Sequence, residues 1–127
     1  MEVIPIGVAR TPYRSPADCP SQPQPDGPEV RVEIDEPYRD GLLGIDRHDR
    51  IDVLMWFDRA RRDLMHQVST PHPEWGVMGV FGLRSPHRPN PIGVSAVELI
   101  RVEAGTLVVR GLDCVDGTPV IDVKPSL

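Results

Sequence analysis

The chain has few of the residues that form disulfide scaffolds or metal centres. Only two of its 127 residues are cysteine, Cys19 and Cys114, and a long stretch of sequence separates them. Disulfide-rich domains carry more cysteines than this, and zinc sites usually take closely spaced Cys or His pairs. The four histidines show no i, i+4 pairing. The sequence therefore predicts neither a disulfide scaffold nor a metal site, and the low cysteine content favours a reducing, cytoplasmic location.

Long hydrophobic runs and several common active-site motifs are missing as well. No apolar stretch approaches the roughly 18 residues of a membrane-spanning helix, and no charged and apolar leader opens the chain. The glycine-rich signatures of P-loop and Rossmann nucleotide sites do not occur, and neither does the G-x-S-x-G of serine hydrolases. We therefore expect a protein without membrane contact, without these nucleotide sites and without a nucleophilic serine.

Proline is abundant and lysine is nearly absent. Fifteen prolines and 11 glycines argue against a helical bundle, because both residues destabilise helix interiors. With 39% hydrophobic and 26% charged residues, the composition predicts one globular domain spanning residues 1–127. The net charge is −5, and Lys124 is the only lysine among 14 basic residues. The others are arginines, whose planar guanidinium groups pair well with carboxylates and phosphates.

Short apolar segments separated by turns predict a mainly β protein. Alternating or continuous apolar residues predict strands at residues 3–10, 30–34, 51–57, 76–83, 94–102, 107–110 and 119–123. A hairpin turn is expected at residues 103–106, and short helices at 37–45 and 58–68. Residues 11–28 form a proline-rich extended loop. This pattern favours a small closed or nearly closed antiparallel β-barrel with one or two short helices.

Residues 84–93, RSPHRPNPIG, form the first candidate site. Three prolines restrict this loop before any ligand binds, which is how a binding site is preorganised. The loop would present Arg84, Arg88 and Asn90. The alternative interpretation is a plain proline turn without a ligand.

Residues 112–124, LDCVDGTPVIDVK, form the second candidate site. Asp113, Asp116 and Asp122 fall in one short stretch, and Asp116-Gly117 is a strong turn pair. A structural turn with acidic residues on the surface explains the same pattern.

Two long motifs resemble the TsaA/TrmO family. They are G-V-F-x-x-R-S-P-x-R-P-N-P-I-G at residues 79–93 and L-D-x-x-D-G-T-P-V-x-D-x-K-P at residues 112–125. The opening I-G-V-A-R-T-P-Y at residues 6–13 is similar to the start of family members, as are Gly41-Leu42 and the strand at 51–57. The resemblance thus covers essentially the whole chain.

The resemblance implies both an activity and a fold. The best-known members are S-adenosylmethionine-dependent methyltransferases that act on N6 of threonylcarbamoyladenosine at position 37 of tRNA. They are small β-barrels rather than Rossmann folds, and they work as homodimers with the cofactor near the subunit interface. Carried over by position, the cofactor-binding residues are Gln22, Asp58, Arg59, Arg84, Val94, Asp116, Gly117 and Thr118.

The roles in the reaction are hypotheses from side-chain chemistry. An exocyclic amine on a purine is a weak nucleophile, so a group that accepts its proton is useful, and Asp113 and Asn90 are the catalytic candidates. Phosphate contacts need cations, and the RNA-binding candidates are Arg59, Arg61, Arg62 and Arg88.

Two alternatives keep the fold and the cofactor but change the function. The chain has Pro20-Ser21-Gln22 where the family often has Pro-Arg-Gln, and its net charge is negative. Both features are compatible with a small molecule or another nucleoside as methyl acceptor. The other alternative is a barrel that binds S-adenosylmethionine without transferring its methyl group.

Overall fold

A six-stranded antiparallel barrel dominates the computed structural model, which describes all residues from Met1 to Leu127. The strands run in the spatial order β1-β2-β7-β6-β3-β8, and pairing of β8 with β1 closes the barrel. Their bounds are β1 Gly7–Arg10, β2 Glu29–Ile34, β3 Arg50–Trp56, β6 Ile92–Glu103, β7 Thr106–Arg110 and β8 Pro119–Pro125. The predicted closed antiparallel barrel is confirmed.

The core fills the barrel with alternate residues of each strand. In β2 and β3, every second residue points inward and is buried, because successive side chains of a strand face opposite sides. The strands interrupt their regular register between Leu54 and Met55 and between Leu99 and Arg101. Such bulges increase the local twist and bend, which helps a six-stranded sheet to close on itself.

The β6–β7 hairpin turns where the sequence predicts it. Glu103 pairs with Thr106, and Ala104 and Gly105 occupy the turn with φ of 38° and 80°. A side chain on Gly105 would overlap the Arg39 side chain, whose Nε donates to the Ile34 carbonyl at 2.9 Å. Glycine at residue 105 therefore permits both the positive φ of the turn and the close approach of the Arg39 side chain.

A second, two-stranded sheet lies outside the barrel order. Strand β4, His66–Val68, pairs with β5, Val77–Gly79, and neither pairs with a barrel strand. We call residues 66–79 the arm and residues 69–76 between its strands the arm tip. The expected strand at 76–83 is present only as β5, and a 3₁₀ turn, Val80–Gly82, follows it.

The helix predicted at residues 37–45 is present only in part. Residues 37–45 are helical only as 3₁₀ turns, Glu36–Leu42 and Ile45–Arg47, which flank Gly44 at φ 82°. The other short 3₁₀ turns are Pro16–Asp18 and Pro73–Trp75.

The predicted helix at 58–68 is wrong. The backbone N–H of Arg61, which a helix would direct to residue 57, donates instead to Nδ1 of His87 at 3.0 Å. The end of the segment becomes β4 of the arm. No helix in the structure has the length and apolar character needed to cross a membrane.

Candidate functional site

An open cleft of about 660 Å³ lies on the outer face of the barrel against the proline-rich loop. Its residues come from that loop, from β3 and the residue before it, from β6, from the end of β7 and from the loop at residues 84–93. They are Gln22, Pro23, Pro25, Asp49, Arg50, Arg84, Val94, Ala96, Val97, Glu98 and Arg110. Three cofactor residues expected from the sequence, Gln22, Arg84 and Val94, therefore line one cleft.

Strand β6 forms the floor of this cleft by simple alternation. Val94, Ala96 and Glu98 face outward and are exposed, whereas Ser95 and Val97 are buried. Val94, the third residue of β6, keeps 43% of its surface exposed. The floor thus presents a small apolar surface with a carboxylate at one end.

The proline-rich loop is held over the floor by its backbone. The Gln24 N–H donates to the Gly111 carbonyl at 2.9 Å, and the Gly111 N–H donates to the Pro28 carbonyl at 2.9 Å. Gly111 has φ of 76°, and a Cβ there would overlap the Gln24 backbone carbonyl. Only glycine allows this approach, so Gly111 fixes the wall that carries Gln22 and Pro23.

Arg84 is the available cation of the cleft. Its guanidinium is exposed and makes no hydrogen bond or ion pair within the chain. By contrast, Arg110 donates to Glu98 at 3.3 Å and to the Gly27 carbonyl at 3.3 Å, and Arg50 donates to the Ala96 carbonyl at 3.3 Å. Arg84 is therefore the arginine of this site that can take an anionic group without breaking an existing contact.

The loop that carries Arg84 is rigid for reasons beyond its prolines. The Arg88 guanidinium donates to the Leu83 carbonyl at 2.8 Å and to the Ser85 carbonyl at 3.0 Å. The His87 N–H donates to Oγ of Ser85 at 3.2 Å. Arg88, expected from the sequence to contact RNA, is thus half-buried and occupied in holding the loop.

Arg62 joins this loop to the segment after β3. Its Nε donates to the Pro89 carbonyl at 2.7 Å, and its Nη2 lies 3.5 Å from Oδ1 of Asn90. The guanidinium also lies over the Trp56 ring, 5.2 Å from the ring centroid. Asn90 itself is exposed, so its amide NH₂ stays available to a ligand.

Three other expected polar residues lie on the exposed surface of this segment. Arg61 forms a bidentate pair with Asp63 at 2.9 and 3.1 Å. Asp58 and Arg59 are exposed, and neither lines the cleft. The Arg59 guanidinium makes no hydrogen bond or ion pair within the chain, which leaves its charge available to a partner.

Asp113 is a half-buried carboxylate on the inner side of β6, where Ser95 points, and it does not line the cleft. Its Oδ1 accepts a hydrogen bond from Oγ of Ser95 at 3.0 Å. Burial raises the pKa of Asp113, and the Ser95 hydrogen bond partly opposes that rise. Burial likewise raises the pKa of the neighbouring Cys114 thiol to about 12, so this cysteine is not a nucleophile at neutral pH.

The Asp116-Gly117-Thr118 turn is used in holding the barrel end together and does not line the cleft. Oδ1 of Asp116 accepts from the Thr11 N–H at 3.1 Å, and the Gly117 N–H donates to the Ala9 carbonyl at 2.8 Å. Oγ1 of Thr118 donates to the Val115 carbonyl at 2.6 Å. These contacts give the D-G-T motif a structural role, and its part in cofactor binding stays a prediction.

Sequence reasoning missed the remaining charged residues of the cleft, Asp49, Arg50, Glu98 and Arg110. Strand alternation places Glu98 on the same face as Val94, which is a signal that could have identified it. Arg110 pairs with Glu98 across β6 and β7, and no local pattern shows this pairing. No cluster of three or more His, Cys, Asp or Glu side chains is placed to hold a metal ion.

Comparison with known proteins gives consistent matches over nearly the whole chain. The family model described as "tRNA-methyltransferase O N-terminal domain" matches residues 8–127. The chain is 42% identical over 121 residues to the probable S-adenosyl-L-methionine-binding protein VirR of Rhizobium radiobacter, covering 95% of this chain and 68% of that protein. It is 34% identical over 100 residues to the mouse tRNA (adenine(37)-N6)-methyltransferase, covering 78% of this chain and 23% of the mouse protein.

The solved structures agree with these sequence matches. The crystal structure of TrmO from Pseudomonas aeruginosa superposes with a TM-score of 0.83 at 33% identity, over 100% of this chain and 55% of that chain. The present chain therefore spans about half the length of the solved TrmO chain.

Proposed function

Because the chain belongs to the tRNA-methyltransferase O N-terminal domain family, we propose that it is an S-adenosylmethionine-dependent tRNA methyltransferase. Its target is N6 of adenosine at position 37, in the threonylcarbamoyladenosine form, and residues 1–127 form one domain of this type. The observation that carries the proposal is the cleft where Gln22, Arg84 and Val94, distant in sequence, meet. Two free cysteines suit the cytoplasm, where tRNA is modified.

The residues of the cleft fit the cofactor. A volume of about 660 Å³ is within the range of small-molecule sites. The unpaired Arg84 guanidinium suits the carboxylate of the methionine part, and the carboxylates of Asp49 and Glu98 suit its positive charges. Val94 and Pro23 supply apolar surface for the adenine. S-adenosyl-L-methionine is accordingly the cofactor, as in the names of the relatives.

When bound, S-adenosylmethionine supplies a methyl group on a sulfonium, which is electrophilic without further activation. The protein's task is then to align the acceptor, to exclude water and to remove one proton. Asp113 stays the proposed proton acceptor, since burial raises the pKa of its carboxyl, but its bond to Ser95 places it across β6 from the cleft residues. An Asp113→Asn variant with normal turnover would remove it from this role. Asn90 is the candidate for orienting the acceptor base, since its exposed amide NH₂ can donate.

The RNA contact is proposed for the arginines that follow β3 and for the loop that Arg88 holds. Arg59 is unpaired, and Arg62 presents its charge beside Asn90. Arg61 must exchange Asp63 for a phosphate, and Arg88 contributes mainly by holding the loop. Binding through such contacts weakens steeply as salt rises, because counterions are released from the phosphates.

We also propose a homodimer whose contact lies beside the cleft. Ile92 exposes 40% of its surface on the outer face of β6, and Phe81 exposes 77% of its surface. A second copy of the chain would bury these side chains and narrow the open cleft. Light scattering tests this: Ile92→Asp is expected to lower the molar mass to that of a monomer, whereas a monomeric unmodified protein would exclude the dimer.

A small-molecule or other nucleoside acceptor is the second candidate. The net charge of −5 favours it, since a substrate other than RNA needs no clustered cations. Transfer of label to a nucleoside but not to tRNA would select this candidate. A barrel that binds S-adenosylmethionine as a sensor would form no S-adenosylhomocysteine with either acceptor.

The decisive experiment measures methyl transfer from labelled S-adenosylmethionine to tRNA that lacks the modification, followed by nucleoside mass spectrometry. We expect label in N6-methylated threonylcarbamoyladenosine. Arg84→Gln should weaken cofactor binding, measured separately by calorimetry. Arg47→Gln is the matched control, because Arg47 is also an exposed arginine without side-chain partners but lies outside the cleft. Equal cofactor affinity in the two variants would remove Arg84 from the site.

A further inference from the structure

The arm tip carries an aromatic pair that the barrel core does not use. The rings of His72 and Trp75 stack with centroids 4.0 Å apart and planes 11° from parallel. Trp75 keeps 50% of its surface exposed, and neither residue belongs to the core cluster. Because indole has a large apolar surface, its exposure costs solubility unless something binds it.

The tip is built so that this pair is fixed before any partner arrives. The His72 N–H donates to Oγ of the buried Ser69 at 3.1 Å, and the Trp75 N–H donates to the His72 carbonyl at 3.1 Å. Oε1 of Glu74 lies 3.1 Å from Nδ1 of His72 and holds the imidazole. Pro73 and Gly76, whose positive φ of 71° favours glycine, fix the turn. A flat face held in this way binds a planar ligand at a low entropic cost.

The segment around the tip is cationic within an acidic protein. Residues 57–91 contain five arginines and three acidic residues, so their net charge is +2, whereas the whole chain has −5. Three of the four histidines also lie in this segment. Flat exposed aromatic rings together with arginines are the usual surface for single-stranded nucleic acid.

We infer that the arm tip is a stacking platform for an unpaired base of the RNA, with the free face of Trp75 as its contact surface. The inference rests on the proposed tRNA substrate, whose target adenosine lies in a loop of unpaired nucleotides. Such bases stack on aromatic side chains, while arginines contact the phosphates. Arg59 and Arg62 are the phosphate partners available in the same segment. Val68 and Val77, which pair at the base of the tip, are also exposed, so the test must separate an RNA contact from a contact with a second protein chain.

The test compares Trp75→Ala with Trp75→Phe, which keeps an aromatic face. The probe is an anticodon stem-loop RNA with threonylcarbamoyladenosine at position 37. Tyr38→Ala is the matched control, because Tyr38 is also an exposed aromatic residue but lies outside the cationic segment of residues 57–91. For each variant we would measure RNA affinity by filter binding, cofactor affinity by calorimetry and molar mass by light scattering.

We expect Trp75→Ala to weaken RNA binding about 5- to 100-fold, as loss of one stacked base does, and Trp75→Phe to recover most of it. Tyr38→Ala should bind RNA normally, and cofactor affinity and molar mass should not change in any variant. RNA binding unaffected by Trp75→Ala, with methylation of tRNA intact, would overturn the platform and leave the proposed function standing. A lower molar mass would assign the tip to a protein contact instead. Failure of the unmodified protein to bind the RNA at all would overturn both.

Discussion

Gly111 allows a sharp test of how the cleft is built. Gly111→Ala places a methyl group on the Gln24 backbone carbonyl, in a residue whose φ is 76°. The left-handed conformation alone costs a non-glycine residue about 1–2 kcal/mol. The overlap cannot be relieved by a side-chain rotation, because the atoms belong to the backbone. The loop must therefore move, and it loses the hydrogen bond from Gln24 to Gly111, worth about 0.5–1.5 kcal/mol.

The sum is a loss of about 1.5–3.5 kcal/mol in the free energy of unfolding, measured by urea denaturation. Gly117→Ala is the matched control, because Gly117 has φ of 84° but open space where its Cβ would lie. That variant should lose only about 1–2 kcal/mol from the backbone conformation. The extra loss at residue 111 measures the contact between the loop and the barrel.

The two variants should also differ in cofactor binding. Gln22 and Pro23 line the cleft and move with Gln24, so Gly111→Ala should weaken S-adenosylmethionine binding in calorimetry. Gly117 lies in the turn beside Ala9 and does not line the cleft, so its variant should leave this wall in place. Normal cofactor binding by that variant would also count against the predicted part of the D-G-T turn in the site. Equal stability losses, or unchanged cofactor affinity in Gly111→Ala, would refute the argument that this close approach positions the wall.

Two further predictions concern charged side chains in and beside the site. Arg88→Ala removes the hydrogen bonds to the Leu83 and Ser85 carbonyls, each worth about 1.5–3 kcal/mol for a charged donor. This variant should lower both the unfolding midpoint in urea and the cofactor affinity. The control Arg61→Ala, which removes an exposed ion pair, should leave the midpoint nearly unchanged. Asp113 has a raised pKa in the folded protein, so its contribution to stability is full below the unfolded pKa and is lost as pH rises through the folded value. Asp113→Asn should therefore gain stability relative to the unmodified protein as pH rises across that window in denaturation series, and a pH-independent difference would contradict the raised pKa.

Most barrel strands could be predicted from the sequence because they depend on local alternation, whereas β4 of the arm could not. The residues of β2 and β3 alternate between core and surface as their sequences do. The helix expected at 58–68 fails for a non-local reason: the Arg61 N–H is taken by His87, 26 residues away. Helix propensity contains no information on such a partner.

The candidate site likewise contains residues that the sequence could predict and residues that it could not. Proline content marks both walls of the cleft, and the motifs indicate Gln22, Arg84 and Val94, which line it together. The D-G-T turn at 116–118 has an equally clear motif, yet its atoms are used by β1 and its approach. A motif shows that a segment is constrained, but it does not tell whether packing or a ligand imposes the constraint.

The way the walls are held has a consequence for the choice of acceptor. A hydrogen bond between the backbones of Gln24 and Gly111 anchors the proline-rich loop. The loop at residues 84–93 is anchored by the Arg88 guanidinium, which donates to two backbone carbonyls. Neither anchor uses the side chains of Ser21 or Gln22, which are exposed. Substitutions at Gln22, which lines the cleft, and at Ser21 just before it can therefore change what the cleft accepts at little cost to the barrel. Serine at 21, where the resembled family often has arginine, is a change of this kind, so its effect should appear in substrate affinity rather than in stability.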